Sequence, residues 1–185
     1  MASILTQAGR PYPLYQSGRW TTATGWSDPL DYQLPGLTRQ GWRIEVPDTR
    51  LFPAHFGART VDFRAGLELG IMRYGLAAFA VLRRVVPFPV IPPLVRAFRL
   101  AADLLAPFGT GIGGMSVSAT TATHRHTWTL LAENGDGPFV PAIAIRALLR
   151  RPSLPTGATP ALEIVTLAEL EAAMSDLSIR FRDTP

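Results

Sequence analysis

Arg64, Glu68, Arg125 and Asp136 are the polar side chains whose types and positions make them candidates for a functional site. Arg64 and Glu68 straddle an expected strand-to-helix junction, and Asp136 precedes the helix start Gly137-Pro138. Each also has an ordinary structural role, Arg64 with Glu68 as an ion pair and Asp136 as a helix cap. Asp48 belongs with them on the same reasoning. Perturbed charges cluster at functional sites, but structural ion pairs look the same in sequence.

Other motifs fail on context. Gly109-Thr110-Gly111-Ile112-Gly113-Gly114 spells the Gly-x-Gly-x-x-Gly pattern of dinucleotide sites. There the glycines follow a strand and open a helix, so that the helix N-terminus meets the pyrophosphate. Here a helical pattern precedes and a strand pattern follows, so the expectation is a glycine turn. His124 and His126 could share a strand face, but a metal site needs a third ligand, and His55 is the one other histidine. Gly114-Met115-Ser116-Val117-Ser118 lacks the final glycine of a nucleophile elbow.

Composition narrows the class. The 185 residues suffice for one full domain with its own core. An apolar content of 47% with 17% charged residues is that of a folded chain. Cysteine is absent, which excludes disulfide scaffolds and thiolate chemistry. All 18 cationic residues are arginine, and the net charge is +4. The arginines are scattered from Arg10 to Arg182, whereas nucleic-acid binders gather them on one face, so no nucleic-acid partner is expected. Residues 1–8 lack the basic start and apolar core of a secretory signal, which gives cytoplasmic location as the expectation.

Alternation at period two predicts the strands. Tyr15–Trp20 and Trp42–Val46 read as short strands, and Arg59–Ala65 repeats the pattern with Val61, Phe63 and Ala65 on one face. Met115–Thr120 and Thr127–Ala132 read as a hairpin turning at Thr121–Thr123, and Ile179–Arg182 as a last strand. Helical patterns run over Gly66–Arg84, Pro93–Ala106, Pro138–Arg151 and Leu167–Met174. Thr166 and Glu169 have the spacing of a capping box. On Gly66–Arg84 the small stripe of Arg73, Ala77, Ala80 and Arg84 leaves most of the circumference apolar, so the helix needs cover on more than one side. The uncharged runs Tyr74–Leu82 and Val85–Val95 are too short to span a membrane, and the second holds four prolines. A peripheral membrane contact through Gly66–Gly109 is the minor alternative. The fold class expected is α+β, with a mixed, largely antiparallel sheet of about five to six strands and helices packed mainly on one face.

Several blocks taken together resemble one family. They are Ala2–Leu5, Gly9–Pro11, Ser17–Trp20, Val46–Asp48, Leu51–Pro53, Thr60–Glu68, Phe108-Gly109 and Gly113–Met115. Trp128–Ala132, Gly135–Pro141 and Gly157–Pro160 complete the set. In this order they resemble the C-terminal part of saccharopine dehydrogenase-like oxidoreductases, over nearly the whole chain. The resemblance implies a two-part enzyme whose N-terminal Rossmann half binds NAD or NADP. The C-terminal half closes over a small-molecule substrate and supports dimerisation. It follows that residues 1–185 are a single substrate-binding and dimerisation domain with no cofactor of its own. The expected partners are a second copy, the Rossmann half, or both, and the start reads like the middle of a longer protein. Catalytic residues are not implied; Arg64, Glu68, Arg125 and Asp136 would be the substrate-binding groups that this half contributes. Many members of that family carry cysteines where this chain has Ile44 and Ala161, a glycine where it has Glu163, and a longer hairpin tip near Thr121. The alternative is a stand-alone ligand-binding or interaction module without enzymatic activity.

Overall fold

The computed structural model describes residues 2–153, 156–158 and 160–185. Thr159, on which the resemblance partly draws, lies outside the described residues. The fold is α+β. The chain divides into two compact units, Met1–Gln33 with Thr38–Gly109, and Leu34–Leu37 with Thr110–Pro185. Among the described residues the strands are shared among three small sheets, of two, three and three strands, rather than gathered into one.

In the first unit, helix α1 (Ala2–Gln7) leads into a hairpin of β1 (Pro11–Gln16) and β2 (Arg19–Thr24). The sequence pattern placed one strand across Tyr15–Trp20, and that segment is instead the hairpin tip. Ser17 and Gly18 both adopt positive φ, 53° and 78°, as a two-residue type I′ turn requires. The turn brings Tyr15 opposite Trp20, with the rings edge to face at 5.0 Å. A second sheet has the order β3 (Leu30–Leu34), β4 (Leu37–Arg43), β5 (Arg64–Ala65). The strand expected over Arg59–Ala65 pairs only at its last two residues, Arg64 with Arg43 and Ala65 with Trp42. Before them the backbone makes scattered bonds instead, such as Val61 N–H to Tyr15 C=O at 3.0 Å, and Phe63 stays 40% exposed. Helix α2 (Asp48–Phe56) runs between β4 and β5 despite Pro53, and ends at Gly57 in the left-handed region.

Helix α3 (Gly70–Val85) is joined by an extended linker to α4 (Pro92–Leu105), and a 3-10 turn (Ala106–Phe108) follows. The buried face of α3 is Leu76, Phe79, Ala80 and Arg83, which recur at helical spacing. These side chains pack with Leu5, Ala8, Trp26 and Trp42, and with the half-buried Phe88, Val90, Leu94, Val95 and Phe98. Trp26 and Trp42 stack at 6.0 Å, and Trp26 Nε1 donates to the Arg73 carbonyl at 3.2 Å. The small stripe read from the sequence is therefore not a solvent face. Ala80 is buried, Arg73 and Ala77 are half-buried, and only Arg84 of the four is exposed. Close approach explains the reversal. A Cβ on Gly9 would stand 2.3 Å from the Ala80 carbonyl oxygen, so the chain after α1 lies directly on this face of α3.

In the second unit, β6 (Gly113–Thr120) and β7 (Arg125–Ala132) form the expected hairpin, closed by Thr121 N–H to His124 C=O at 2.8 Å. Strand β8 (Ile179–Thr184) pairs antiparallel on the other side of β7. A six-residue 3-10 turn (Gly137–Ala142) precedes α5 (Ile143–Leu149), so only the second half of the pattern over Pro138–Arg151 is an α-helix. Helix α6 (Leu167–Ala173) carries the complete capping box of Thr166 and Glu169. Leu130, Ala132, Ile143, Ala147, Ala173 and Met174 form this unit's core. Glu163, where the resembled family has glycine, sits in the left-handed region at φ 57°.

Candidate functional site

Arg64 is held in a network of alternating charge. Strand pairing sets its backbone directly opposite Arg43, and two aspartates relieve the resulting repulsion. Arg64 donates to Asp62 at 2.9 Å and to Asp28 at 3.3 Å, and its Nη1 also donates to the Asp28 carbonyl. Arg43 lies 2.7 Å from Asp28 and bonds both oxygens of Asp62, at 3.3 and 3.4 Å. Two guanidinium groups thus meet two carboxylates, and the cluster is neutral. An incoming carboxylate would have to displace an aspartate to reach Arg64.

Tyr12 stands beside this network with its hydroxyl buried and, among the described residues, without a hydrogen-bond partner. Burial, followed by the Asp62 charge, pushes the phenol up to about 12, and Arg43 and Arg64 offset part of the effect. Tyr12 also lines a cavity of about 150 Å³ with Thr6, Gln7, Arg10, Pro11 and Glu45. The hydroxyl itself is closed to solvent, so the phenol serves this cavity as a wall and not as a donor. Glu68 takes its ion pair from Arg39 at 3.2 Å, and its Oε2 lies beside Gly109.

Arg125 and Asp136 belong to the second unit. Arg125 opens β7, exposed and opposite Thr120, and carries no ion pair among the described residues. Its guanidinium is open to a carboxylate from solution. Asp136 stands at the N-terminus of the 3-10 turn but makes no cap bond there. Its carboxylate accepts the Ser178 N–H at 2.7 Å and so ties the start of β8 to the loop after β7. His126 lies 2.5 Å from Asp183 with both groups exposed, and His124 bonds Thr123. Among the described residues no group of three or more histidine or acidic side chains could hold a metal ion. The glycine run leads from a 3-10 turn into β6, the reverse of a dinucleotide site.

Of the five singled-out side chains, Asp48 at the start of α2, Arg64 and Glu68 lie in the first unit, and Arg125 and Asp136 in the second. The sequence did not single out Asp28 or Asp62 as the partners of Arg64, nor Tyr12 beside them. Alternation did put Arg43 and Asp62 on polar strand faces. Their meeting depends on a strand pairing across about twenty residues of chain that no local pattern encodes.

Among the described residues no helix is long and apolar enough to cross a membrane. No protein-family model matches the chain and no curated protein matches it, so the oxidoreductase resemblance stands on the sequence blocks alone.

Proposed function

We propose that this chain is the substrate-binding and dimerisation part of a two-part, saccharopine dehydrogenase-like oxidoreductase of the cytoplasm, without catalytic activity by itself. The nucleotide half, carried elsewhere, would bring NAD or NADP to the cleft where a small-molecule substrate is held. The observation that supports the reading is the outer face of α3. Ile71, Tyr74, Ala78, Val81 and Val85 follow one another at alternating steps of three and four, and all are exposed. Ile71 is 68%, Val81 64% and Val85 75% exposed. That spacing is the seam by which one helix packs against another. Gly75 and Ala78 leave room in its middle for a close partner.

The stand-alone module is the second reading, and the Arg64 network favours it. An arginine whose donors are already taken by Asp28 and Asp62 is poorly placed to seize a substrate. Sedimentation of the purified chain and calorimetric titration with NAD and NADP separate these cases. The enzyme-part reading expects self-association that Val81→Glu abolishes, and no cofactor binding by the isolated chain. Tight cofactor binding, or a monomer at all concentrations, would count against it.

A further inference from the structure

The linker between α3 and α4 differs from every other connection in the first unit. Val85–Val95 is eleven residues without a charged or strongly polar side chain, bounded by Arg83-Arg84 before and Arg96 after, with Arg99 one turn further. Phe88 and Val90 turn inward, Phe88 edge to face with Phe79 at 5.9 Å, and pin the linker to the core. Val85, Val86, Pro87, Pro89, Ile91, Pro92 and Pro93 face outward. Val85 is 75%, Val86 53% and Ile91 50% exposed. Arg84, Arg96 and Arg99 are exposed beside them and carry no ion pair among the described residues. Across α3, the linker and α4 the charges are Arg73, Arg83, Arg84, Arg96 and Arg99 against the single acid Asp103.

We propose that this linker inserts into the headgroup boundary of an anionic bilayer, with Arg84, Arg96 and Arg99 meeting lipid phosphates. Three observations select a bilayer over a second protein. First, the apolar residues are flanked on both sides by arginine with almost no acid nearby. Two copies would set like charges together, whereas an anionic leaflet complements them. Second, Pro87, Pro89, Pro92 and Pro93 have no backbone N–H. Backbone donors without a partner are costly in lipid, and four are missing here, two in the non-helical linker and two in the first turn of α4, whose N–H groups have no helical acceptor. Third, an open depression of about 320 Å³ lies at the arginine end, lined by Ala2, Thr6, Val90, Pro92, Val95 and Arg96. Apolar walls with one guanidinium at the rim suit the upper part of an acyl chain and its phosphate. On α4 the exposed Leu100 and Leu104 lie on an arc beside Arg96 and Arg99, and extend the same amphipathic surface. The outer seam of α3 meets this surface only at Val85, and its role is tested apart from this one.

The test is flotation of the purified full chain with vesicles of phosphatidylcholine alone and of phosphatidylcholine with phosphatidylserine. Binding is expected to the anionic vesicles, weakening as salt is raised. Arg84→Gln with Arg96→Gln should lower the partition coefficient about thirty-fold, at about 1 kcal/mol for each arginine near the surface. Val86→Asp with Ile91→Asp should abolish binding while far-ultraviolet circular dichroism stays unchanged. Ile91→Trp should bind, with fluorescence quenched by brominated lipid. No binding to anionic vesicles overturns the proposal. So does binding that survives the two aspartates, which would mean a charge-only polyanion contact. Self-association lost in the aspartate variant, without vesicle binding by the parent chain, would assign the linker to a second copy and equally overturn it.

Discussion

The Nη1 of Arg83 lies 2.8 Å from the carbonyl oxygen of Ala8, and the same nitrogen reaches the carbonyls of Leu5 and Thr6 at 2.5 and 3.2 Å. One guanidinium from α3 therefore collects the backbone acceptors that the end of α1 leaves without helical partners. A cation at a helix C-terminus is also favoured by the helix dipole. Burial, and then the charge of nearby Arg10, lowers the Arg83 pKa below the ordinary arginine value. Phe79 and Phe88 lie against the guanidinium at 5.7 and 6.0 Å and close it off from water.

Arg83→Met should accordingly destabilise the first unit by about 3 kcal/mol, because buried carbonyls would lose a charged donor. Urea unfolding monitored by tryptophan fluorescence reads this directly, since Trp26 shares the core with Leu5 and Ala8. A loss under 1 kcal/mol would mean that water replaces the guanidinium.

Gly9→Ala should cost more than 2 kcal/mol, from two independent causes. Gly9 has φ 74°, and a Cβ there would stand 2.3 Å from the Ala80 carbonyl. Gly135→Ala is the control, with φ 81° but open space around it, and should show the backbone part of the cost alone. Equal losses in the two variants would remove the argument that α1 and α3 touch at Gly9.

Tyr12→Phe should leave stability unchanged or raise it by about 1 kcal/mol, because the hydroxyl is buried without a partner among the described residues. The phenol's folded value is raised, so the stability linked to its neutral form is complete below pH 10. It is lost as pH rises from 10 towards 12. Alkaline titration followed by ultraviolet absorbance should show that late phenol in the parent chain and not in the variant.

Glu169 should titrate at about 2 instead of near 4.5, held down first by Arg151 at 2.9 Å and then by the N–H and hydroxyl of Thr166. A depressed carboxyl contributes stability that is complete above the unfolded value and disappears as pH falls from about 4.5 towards 2. Carbon-detected NMR of the Glu169 carboxyl gives the midpoint. In Glu169→Gln the acid-dependent loss of α6 should flatten over that window, and a midpoint near 4.5 in the parent chain would show the capping box open in solution.

Sequence alone determined what is local. The capping box at Thr166 and Glu169, the β6–β7 hairpin, and the helical character of α3 and α4 rest on spacing within a few residues, and spacing is what a sequence displays. The glycine run after α4 was legible for the same reason, since its context is its immediate neighbours. Helix α2 was not, because Pro53, its sixth residue, removes an interior backbone donor and so argues against a helix in sequence. Only tertiary structure decided which face of α3 is inside. Periodicity shows an apolar circumference, but the choice was made by Gly9 and the end of α1 meeting Ala80 and Arg83 from more than seventy residues away. The Arg43–Arg64 pairing with Asp28 and Asp62 is likewise a product of strand register, which no residue specifies by itself. Contacts between distant segments depend on which surfaces exclude water together, and that is a property of the folded chain and not of any stretch of it.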